Sequence, residues 1–245
     1  MTTAPVADQL RLLDVQALDT RLQQLEHQRK TLPGHARVAE VAVQLADVDR
    51  ALVESKTAVG DLRRELAKAE GDVEQVRTRA ARDQARLDSG AASVKDVQAL
   101  SAELEALARR TAALEEIELD VMVRLEAHES ALAEVTTAHE AMLEAQREAA
   151  AQLAEGLAQI DAEVETVRAE RATRAAGIDA GLVTLYEKLR GQLGGLAVAR
   201  LRGRTCEGCR LELNPGDVAQ ITAAAPEQVV RCEECGRILV RAAAQ

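Results

Sequence analysis

Four cysteines in two closely spaced pairs are the residues of this sequence best suited to chemistry. Cys206 and Cys209 form one C-x2-C pair, and Cys232 and Cys235 form a second pair after 22 intervening residues. Each pair brings two sulfurs from one tight turn towards a single ion, and four thiolates complete the tetrahedral shell of a structural zinc site. The spacing therefore predicts one structural Zn²⁺ ion bound by all four cysteines.

Other roles for paired cysteines fit the sequence less well. Two disulfides would need an oxidising compartment, and residues 1–30 lack the basic and apolar segments of a secretion signal. A redox dithiol needs one C-x2-C pair on a thioredoxin-like unit, which is missing. A catalytic zinc keeps one position open for water, whereas four cysteines close this site. A structural role for the metal is therefore favoured.

The sequence around the cysteines indicates a small β domain, the zinc ribbon, over residues 191–245. Short runs at 210–213, 229–231 and 238–240 are predicted to form strands around the two pairs. A domain of about 45 residues without aromatic side chains buries too little apolar surface to fold unaided. Metal binding is therefore expected to supply its folding free energy.

The remaining residues have the composition of a long helical protein. The 245-residue chain contains no Phe, no Trp and a single Tyr, and 29% of its residues are charged. Such a composition is typical of coiled coils, and it argues against aromatic-walled cofactor pockets and base-stacking platforms. Because no stretch approaches about eighteen uncharged apolar residues, we predict a cytoplasmic protein without a membrane contact.

Apolar residues at coiled-coil spacing predict a helical hairpin over residues 1–190. From Val38 to Leu87, thirteen of fifteen positions spaced alternately three and four apart are apolar. Gly90 suits the left-handed residue that ends a helix, and residues 93–96 form a capping-box pattern that opens the next one. The fold class is therefore mainly α: a long antiparallel coiled-coil hairpin, kinked after a short first helix, with a tip near residues 88–93. The predicted helices span 5–31, 36–88, 93–175 and 182–190, and Gly191, Gly194 and Gly195 suggest a hinge before the ribbon.

Some polar residues of the hairpin have two interpretations. His128 and His139 fall on the predicted seam, where they could bind a metal, although polar core residues more often set register. Asp83 could be a functional carboxylate at the tip, or a charge that a frayed tip tolerates. The arginines near the tip alternate with acids, which favours a solvated face laced with ion pairs; they are Arg77, Arg79, Arg82 and Arg86.

A long helical hairpin followed by these cysteine motifs resembles a bacterial family of coiled-coil proteins with a C4-type zinc ribbon. The resemblance covers nearly the whole chain, and its most specific parts are residues 95–101, 186–190, 206–210 and 230–239. It implies zinc at the four cysteines and a ribbon at the base of the hairpin. Some members of the family act in gene regulation through contacts with sigma factors or messenger RNA, notably in flagellar control. No feature of this sequence points to flagella.

These features favour a non-enzymatic binding protein with no catalytic residues. The sequence has no phosphate-binding glycine loop, no H-E-x-x-H and no G-x-S-x-G motif. The first hypothesis is a regulatory adaptor, monomeric or homodimeric, that contacts a protein partner such as the transcription machinery. A purely structural spacer is a further interpretation.

The alternative is binding of RNA or DNA through the ribbon. Residues 196–245 carry seven arginines and six acids, a net charge of +1, so residues 1–195 carry −11. Converging basic residues could neutralise several phosphates, although the acidic hairpin and the lack of stacking aromatics oppose this. The candidate nucleic-acid contacts are Lys188, Arg190, Arg200, Arg202, Arg204, Arg210, Arg231 and Arg237.

Overall fold

The computed structural model describes residues 2–90 and 93–241. Its elements are, in order, α1 (Val6–Lys30), α2 (Pro33–Asp88), α3 (Val94–Ala175), α4 (Ala180–Gln192), β1 (Val198–Arg202), β2 (Thr205–Cys206), α5 (Pro215–Ala223), β3 (Val230–Arg231) and β4 (Ile238–Val240). The predicted class, mainly α with a small C-terminal β region and a short first helix, is confirmed. None of the helices in these ranges combines the length and the apolar character needed to span a membrane.

Two compact units divide the chain. One, the hairpin unit, spans residues 36–150, and the other, the base unit, combines the residues up to 35 with those from 151 onward. The base unit thus contains α1, the last part of α3, α4 and the ribbon. The domain boundary predicted between residues 190 and 191 separates the helical hairpin sequence from the ribbon sequence, and it remains a prediction.

In the hairpin unit, α2 and α3 run antiparallel along an apolar seam. The residues of α2 that are buried all occupy predicted heptad positions: Val41, Leu45, Leu52, Val59, Leu62, Ala69 and Val73. From α3 the seam receives Leu107, Leu114 and Val121. Ion pairs flank it, such as Arg77 with Glu115 and Arg79 with Glu103, both at 2.6 Å. Both tip arginines thus form ion pairs, but with acids of α3 and not with the acids that alternate with them on α2.

The hairpin tip has the capping chemistry that the sequence predicts. Gly90 has a φ of 69°, a left-handed conformation that glycine adopts without a Cβ clash. The Ser93 amide donates to Asp96 Oδ2, and the Asp96 amide donates to Ser93 Oγ, both at 3.3 Å. The Ser93 hydroxyl also donates to the Asp96 carboxylate and lowers the pKa of Asp96. These contacts form a reciprocal capping box.

The two histidines assigned to the seam differ in the structure. His139 is half-buried, and its Nε2 lies 2.8 Å from Asp49 Oδ1 on α2. His128 is exposed, so its predicted seam position is wrong. Leu125, Leu132 and Val135, at the same heptad spacing, are half-buried, so the register continues past position 128 and this polar side chain alone lies in solvent. Asp83 is half-buried near the tip.

In the base unit, two glycines permit close packing where α1 gives way to α2. Helix α1 ends at Lys30, and Pro33 opens α2, the helix position that best accepts proline. A Cβ on Gly156 of α3 would lie 2.9 Å from Leu32 Cδ2, and one on Gly34 would lie 3.1 Å from Leu153 Cδ1. Neither position leaves room for a larger residue without a shift of its leucine neighbour.

The ribbon contains a four-stranded sheet with the order β2-β1-β4-β3. Strands β1 and β4 are parallel, and the other pairs are antiparallel. The start of the chain extends the sheet, because Thr3 bridges Gln228 and the Ala4 amide donates to the Glu227 carbonyl at 2.8 Å. One face packs on α1 and α4 through a core that includes Leu12, Val15, Leu182, Tyr186, Val198 and Ile238. The opposite face packs on α5 and the cysteines.

Several local predictions for the ribbon need correction. Residues 210–213 do not form a strand and contribute only an isolated bridge between Thr205 and Glu212. Helix α5 was not predicted, although Asn214 caps it by accepting from the Asp217 amide and Pro215 opens it, both standard start signals.

The predicted hinge before the ribbon is instead held against α1. Gly194 and Gly195 have φ angles of 71° and 96°, so they turn the chain as glycines can. The side chain of Gln16 then fixes the segment, because its Nε2 donates to the Gly195 carbonyl at 2.9 Å and its Oε1 accepts from the Ala197 amide at 2.7 Å. The buried side chain of Gln16 thus forms backbone hydrogen bonds of the kind that a neighbouring strand would form.

Candidate metal centre and its surroundings

Two turns of the ribbon bring the four cysteine sulfurs together. All four Sγ atoms lie within 4.8 Å of one another, with 3.9 Å between Cys206 and Cys235 and 4.0 Å between Cys209 and Cys232. Tetrahedral zinc with Zn–S bonds of about 2.3 Å separates its sulfurs by about 3.8 Å, whereas a disulfide needs about 2.05 Å. The donor set fits one closed, structural Zn²⁺ ion, and the predicted cofactor is confirmed.

The two turns close with the same backbone hydrogen bond but differ in the residue that follows the second cysteine. The Arg210 amide donates to the Cys206 carbonyl at 2.7 Å, and the Gly236 amide donates to the Cys232 carbonyl at 2.8 Å. Gly236 has a φ of 73°, and Arg210 has a φ of 62° at the equivalent place. A left-handed conformation is strained for arginine and free for glycine. The first turn therefore carries backbone strain that the second avoids.

Gly208 serves a different purpose from Gly236. A Cβ at Gly208 would lie 2.7 Å from Arg237 Cδ and 3.0 Å from the Cβ of Ala199 on β1. The first turn therefore approaches the sheet too closely for a side chain. Gly208 is therefore required for space, whereas Gly236 supplies a left-handed backbone.

The four thiols differ in their electrostatic surroundings. Burial raises the pKa of Cys206, and it raises the pKa of Cys232 to about 12. Burial also acts on Cys235, but there the backbone amide and the side chain of Arg237 outweigh it and lower the pKa to about 7. Zinc binds thiolates, so the metal must displace protons from the two buried cysteines.

The metal centre and the second core of the ribbon form one structure. Cys206 and Cys232 are buried beside Leu213, Ile221 and Leu239, so apolar packing and the sulfurs share the same interior. Arg241 closes the far end of α5 by donating to the carbonyls of Ile221 at 3.1 Å, Ala224, Ala225 and Pro226 at 2.8 Å, and Gln228 at 2.9 Å.

A buried carboxylate that sequence reasoning missed organises the base unit. Asp19 of α1 is 1% exposed and accepts from Arg171 Nε at 2.7 Å, Arg190 Nη1 at 3.0 Å and the Tyr186 hydroxyl at 2.6 Å. Burial and the Asp19 carboxylate raise the pKa of Tyr186. Glu187 pairs with both arginines. The family-specific segment 186–190 therefore joins α3 and α4 to α1.

The structure gives several of the eight predicted nucleic-acid contacts an internal role. Arg190 binds Asp19, Arg231 Nε donates to the Gly236 carbonyl at 2.7 Å, and Arg237 Nε donates to the Leu196 carbonyl at 2.8 Å. Arg202 pairs with Glu207 at 2.9 Å, and Arg204 lies 3.5 Å from the Leu213 carbonyl. Within residues 2–90 and 93–241, three side chains of this set have no ion pair or side-chain hydrogen bond: Lys188, Arg200 and Arg210.

Comparison with known proteins places this architecture in a family. A model of the CT398-like coiled coil hairpin domain matches residues 15–194, and a model of the C4-type zinc ribbon domain matches residues 205–239. The chain belongs to the CT398-like coiled-coil hairpin family. The predicted resemblance is thereby confirmed for the hairpin and for the ribbon.

Relatives of this CT398-like protein extend over nearly its whole length. An uncharacterized protein of Mycobacterium tuberculosis is 36% identical over 241 residues, which cover 97% of both chains. A solved structure from Mycobacterium smegmatis has 35% identity and a TM-score of 0.87, and the match covers 98% of this chain and 100% of that one. The structure of CT398 from Chlamydia trachomatis shares the fold at 19% identity, with a TM-score of 0.68 over 96% of this chain and 98% of that one.

Proposed function

We propose that this CT398-like protein is a non-enzymatic regulatory adaptor that binds a protein partner along its hairpin. One observation carries the proposal: three large apolar side chains of α3 lie exposed on one helix face. Leu119 is 61% exposed, Met122 46% and Val123 66%, and their spacing of three and four residues makes them neighbours. We call these three residues the α3 strip. They lie outside the seam, which α3 forms with buried residues such as Leu114 and Val121.

Charges around the α3 strip indicate the chemistry of the partner. The exposed acids Glu116, Asp120 and Glu126 flank it on the same helix. Asp120 pairs with Arg124 at 3.6 Å, whereas Glu116 and Glu126 have no ion pair among the described residues. An amphipathic helix with an apolar stripe and basic edges complements this surface. The family resemblance makes the transcription machinery the class of partner that we propose.

The metal centre supports a structural role rather than catalysis. Its four cysteines leave no coordination position for a substrate or a water molecule. The ribbon then serves to anchor the base of the protein, while the hairpin unit offers the binding surface.

Replacement of the α3 strip tests this proposal. The double variant Leu119→Gln/Val123→Gln keeps good helix formers and removes the exposed apolar surface. Val43 and Val53 of α2 are each 64% exposed, so Val43→Gln/Val53→Gln is a matched control. Tagged wild-type and variant proteins are used for capture from nuclease-treated native lysate, followed by mass spectrometry.

The α3-strip variant should bind its partner at least about tenfold more weakly, which corresponds to about 1.4 kcal/mol of binding free energy. The control variant should capture the partner as wild type does. Equal capture by the two variants would contradict the proposal. Capture that disappears with nuclease treatment alone would also contradict it, because RNA would then be the direct ligand.

Nucleic-acid binding is the second candidate. It is favoured by the exposed arginines of the ribbon that have no strong internal partner, namely Arg200, Arg202, Arg204 and Arg210. The triple variant Arg200→Ala/Arg202→Ala/Arg204→Ala should then lose RNA binding and show a weaker dependence of affinity on salt. Unchanged RNA binding by this variant would rule out the candidate in this form.

A further inference from the structure

A groove runs between α1 and strand β1 of the ribbon, inside the base unit. Its first part is a hollow with a volume of about 220 Å³, lined by Leu10, Leu13, Leu201 and Val240 together with Arg200 and Arg202. A second, shallower hollow shares Leu13 and Arg200 and continues past Leu196 and Val198. Together the two hollows form one apolar groove with Arg200 at its middle, the α1–β1 groove.

The apolar floor of the α1–β1 groove continues the main core of the base unit. Leu12, Val15, Val198 and Val240 belong to that core and are buried. Leu10 lies one turn nearer the start of α1 and is among the exposed large apolar side chains. The core therefore opens to solvent at Leu10.

The three arginines that line the first hollow, Arg200, Arg202 and Arg241, differ in how firmly the protein holds them. Arg200 is exposed and has no ion pair or side-chain hydrogen bond within the described ranges. Arg202 pairs only with Glu207, and its own side chain is mostly solvent-exposed, so that pair is weak. Arg241 is fixed on backbone carbonyls but keeps its positive charge.

Two acids line the second hollow, and both already have partners. Asp14 lies 3.9 Å from Arg174, and Glu207 pairs with Arg202. The first hollow contains three arginines and no acid. Its potential is therefore positive next to an apolar floor, which suits a carboxylate one or two residues away from an aliphatic side chain.

We propose that the α1–β1 groove binds an acidic, leucine-rich segment of a protein partner. An aliphatic side chain of the segment enters the hollow between Leu10 and Val240, and a neighbouring carboxylate pairs with Arg200. This inference rests on the proposed adaptor function and adds a second contact at a distinct surface with opposite charge preference. A nucleic acid fits this groove less well, because its floor is aliphatic and Tyr186, the one aromatic side chain, is buried and gives no stacking surface.

Methyl NMR of the full-length, zinc-loaded protein tests the groove. The probe is the acetylated and amidated peptide Asp-Leu-Asp-Leu-Glu, and its neutral counterpart is Asn-Leu-Asn-Leu-Gln. The acidic peptide should shift the methyl signals of Leu10, Leu13 and Val240 saturably, and the neutral peptide should bind about tenfold more weakly, because charge-assisted hydrogen bonds are stronger than neutral ones.

Variants separate Arg200 from the general charge of the ribbon. Arg200→Gln should lower the affinity for the acidic peptide about tenfold. Arg200→Lys, which keeps the charge, should keep part of the affinity. Arg204→Gln is the matched control, since Arg204 is exposed on the same domain but does not line the groove. Equal losses in Arg200→Gln and Arg204→Gln, equal affinity for both peptides, or no saturable shifts would each overturn the proposal.

Two further outcomes keep this inference distinct from the proposed function. A single-stranded RNA oligonucleotide that shifts the same methyl signals and displaces the peptide would overturn the peptide assignment. The α3-strip variant should bind the peptide like wild type. If wild-type protein does not bind the peptide, but its partner capture still depends on the α3 strip, only the groove is overturned. If wild-type protein binds the peptide, but the α3-strip variant captures the partner as well as wild type does, only the hairpin function is overturned.

Discussion

The hairpin unit and the base unit are stabilised in different ways. The hairpin unit is stabilised by an apolar seam along its whole length, and exposed ion pairs such as Arg63 with Glu129 flank the seam. Each exposed pair contributes little to the free energy of unfolding. The base unit adds a few polar groups to its apolar cores: the four cysteines, of which Cys206 and Cys232 are buried, and the buried side chains of Gln9, Gln16 and Asp19. Stability is thus distributed along the hairpin and concentrated at the base, so single substitutions should have unequal effects in the two units.

Loss of the metal should give the largest difference between the units. Cys232→Ser removes one of four zinc ligands, so the variant should lose zinc and the ribbon should unfold, since metal binding supplies its folding free energy. The seam of residues 36–150 does not depend on the metal. Most of the helical circular dichroism should therefore remain, with a decrease limited to the helices that pack on the ribbon.

Zinc content and hydrogen exchange measured by mass spectrometry check this outcome. Exchange should become fast over the ribbon and faster in α1, whose Leu12 and Val15 share a core with β1 and β4. Peptides from the hairpin unit should keep their protection. Uniform loss of protection along the chain would show that the units do not differ as described.

Removal of the buried carboxylate should give the next largest effect. Asp19→Ala leaves the Tyr186 hydroxyl without its acceptor and removes one of the two carboxylates that pair with Arg171 and Arg190. Because both arginines are partly exposed and keep Glu187, the cost should be about 2–3 kcal/mol, below the value of about 3–5 kcal/mol for a fully buried pair. Glu129→Ala, which breaks an exposed pair of the hairpin unit, should cost less than about 1 kcal/mol. Chemical denaturation followed by circular dichroism and tyrosine fluorescence measures both free energies of unfolding. Similar losses in the two variants would contradict the comparison.

Two glycine-to-alanine substitutions should have opposite signs in the two units. A methyl group at Gly71 of α2 would have no neighbouring atom within 4 Å, so Gly71→Ala should stabilise the hairpin unit by about 1 kcal/mol. Gly156→Ala gains the same helix propensity but places its methyl group 2.9 Å from Leu32 Cδ2, so overpacking of about 1–3 kcal/mol should leave the base unit destabilised by about 1 kcal/mol. Thermal unfolding measures both shifts, and stabilisation by Gly156→Ala would refute the close packing.

The smallest expected effect lies in the first cysteine turn. Arg210→Gly removes the left-handed strain of an arginine at φ 62° and should stabilise the ribbon by about 1 kcal/mol. A lower zinc concentration should then suffice to fold the ribbon in a titration followed by hydrogen exchange. Gly236→Arg is the reciprocal variant and should destabilise the second turn. A destabilising Arg210→Gly substitution would show that its side chain supports the fold.

Local patterns predicted the parts of the structure that depend on neighbours in sequence. The heptad positions, the capping box at Ser93 and the C-x2-C pairs all act within a few residues. The N-cap of α5 at Asn214 is equally local, but Asn214, Pro215 and Gly216 are also typical turn residues. A cap that shares its residue types with a turn thus hid a short helix.

Long-range polar contacts escaped prediction because no local pattern encodes them. Asp19 meets Arg171 and Arg190, which are 152 and 171 residues away in sequence, and on α1 alone it resembles any solvent-facing acid. Gln16 likewise finds its partners only after α4 returns the chain to α1. For the same reason Arg190 resembled a free cation, and only the folded base unit gives it an internal partner.

Photocrosslinking at the α3 strip tests the central claim, a protein contact on the hairpin, most directly. The photoreactive residue p-benzoylphenylalanine replaces Leu119 in one variant and the equally exposed Val53 in a control, and crosslinked species are identified by mass spectrometry after irradiation of living cells. A protein should crosslink at position 119 and not at position 53, with basic residues at the crosslinked site. Identical crosslinks at both positions, or none at position 119, would contradict it.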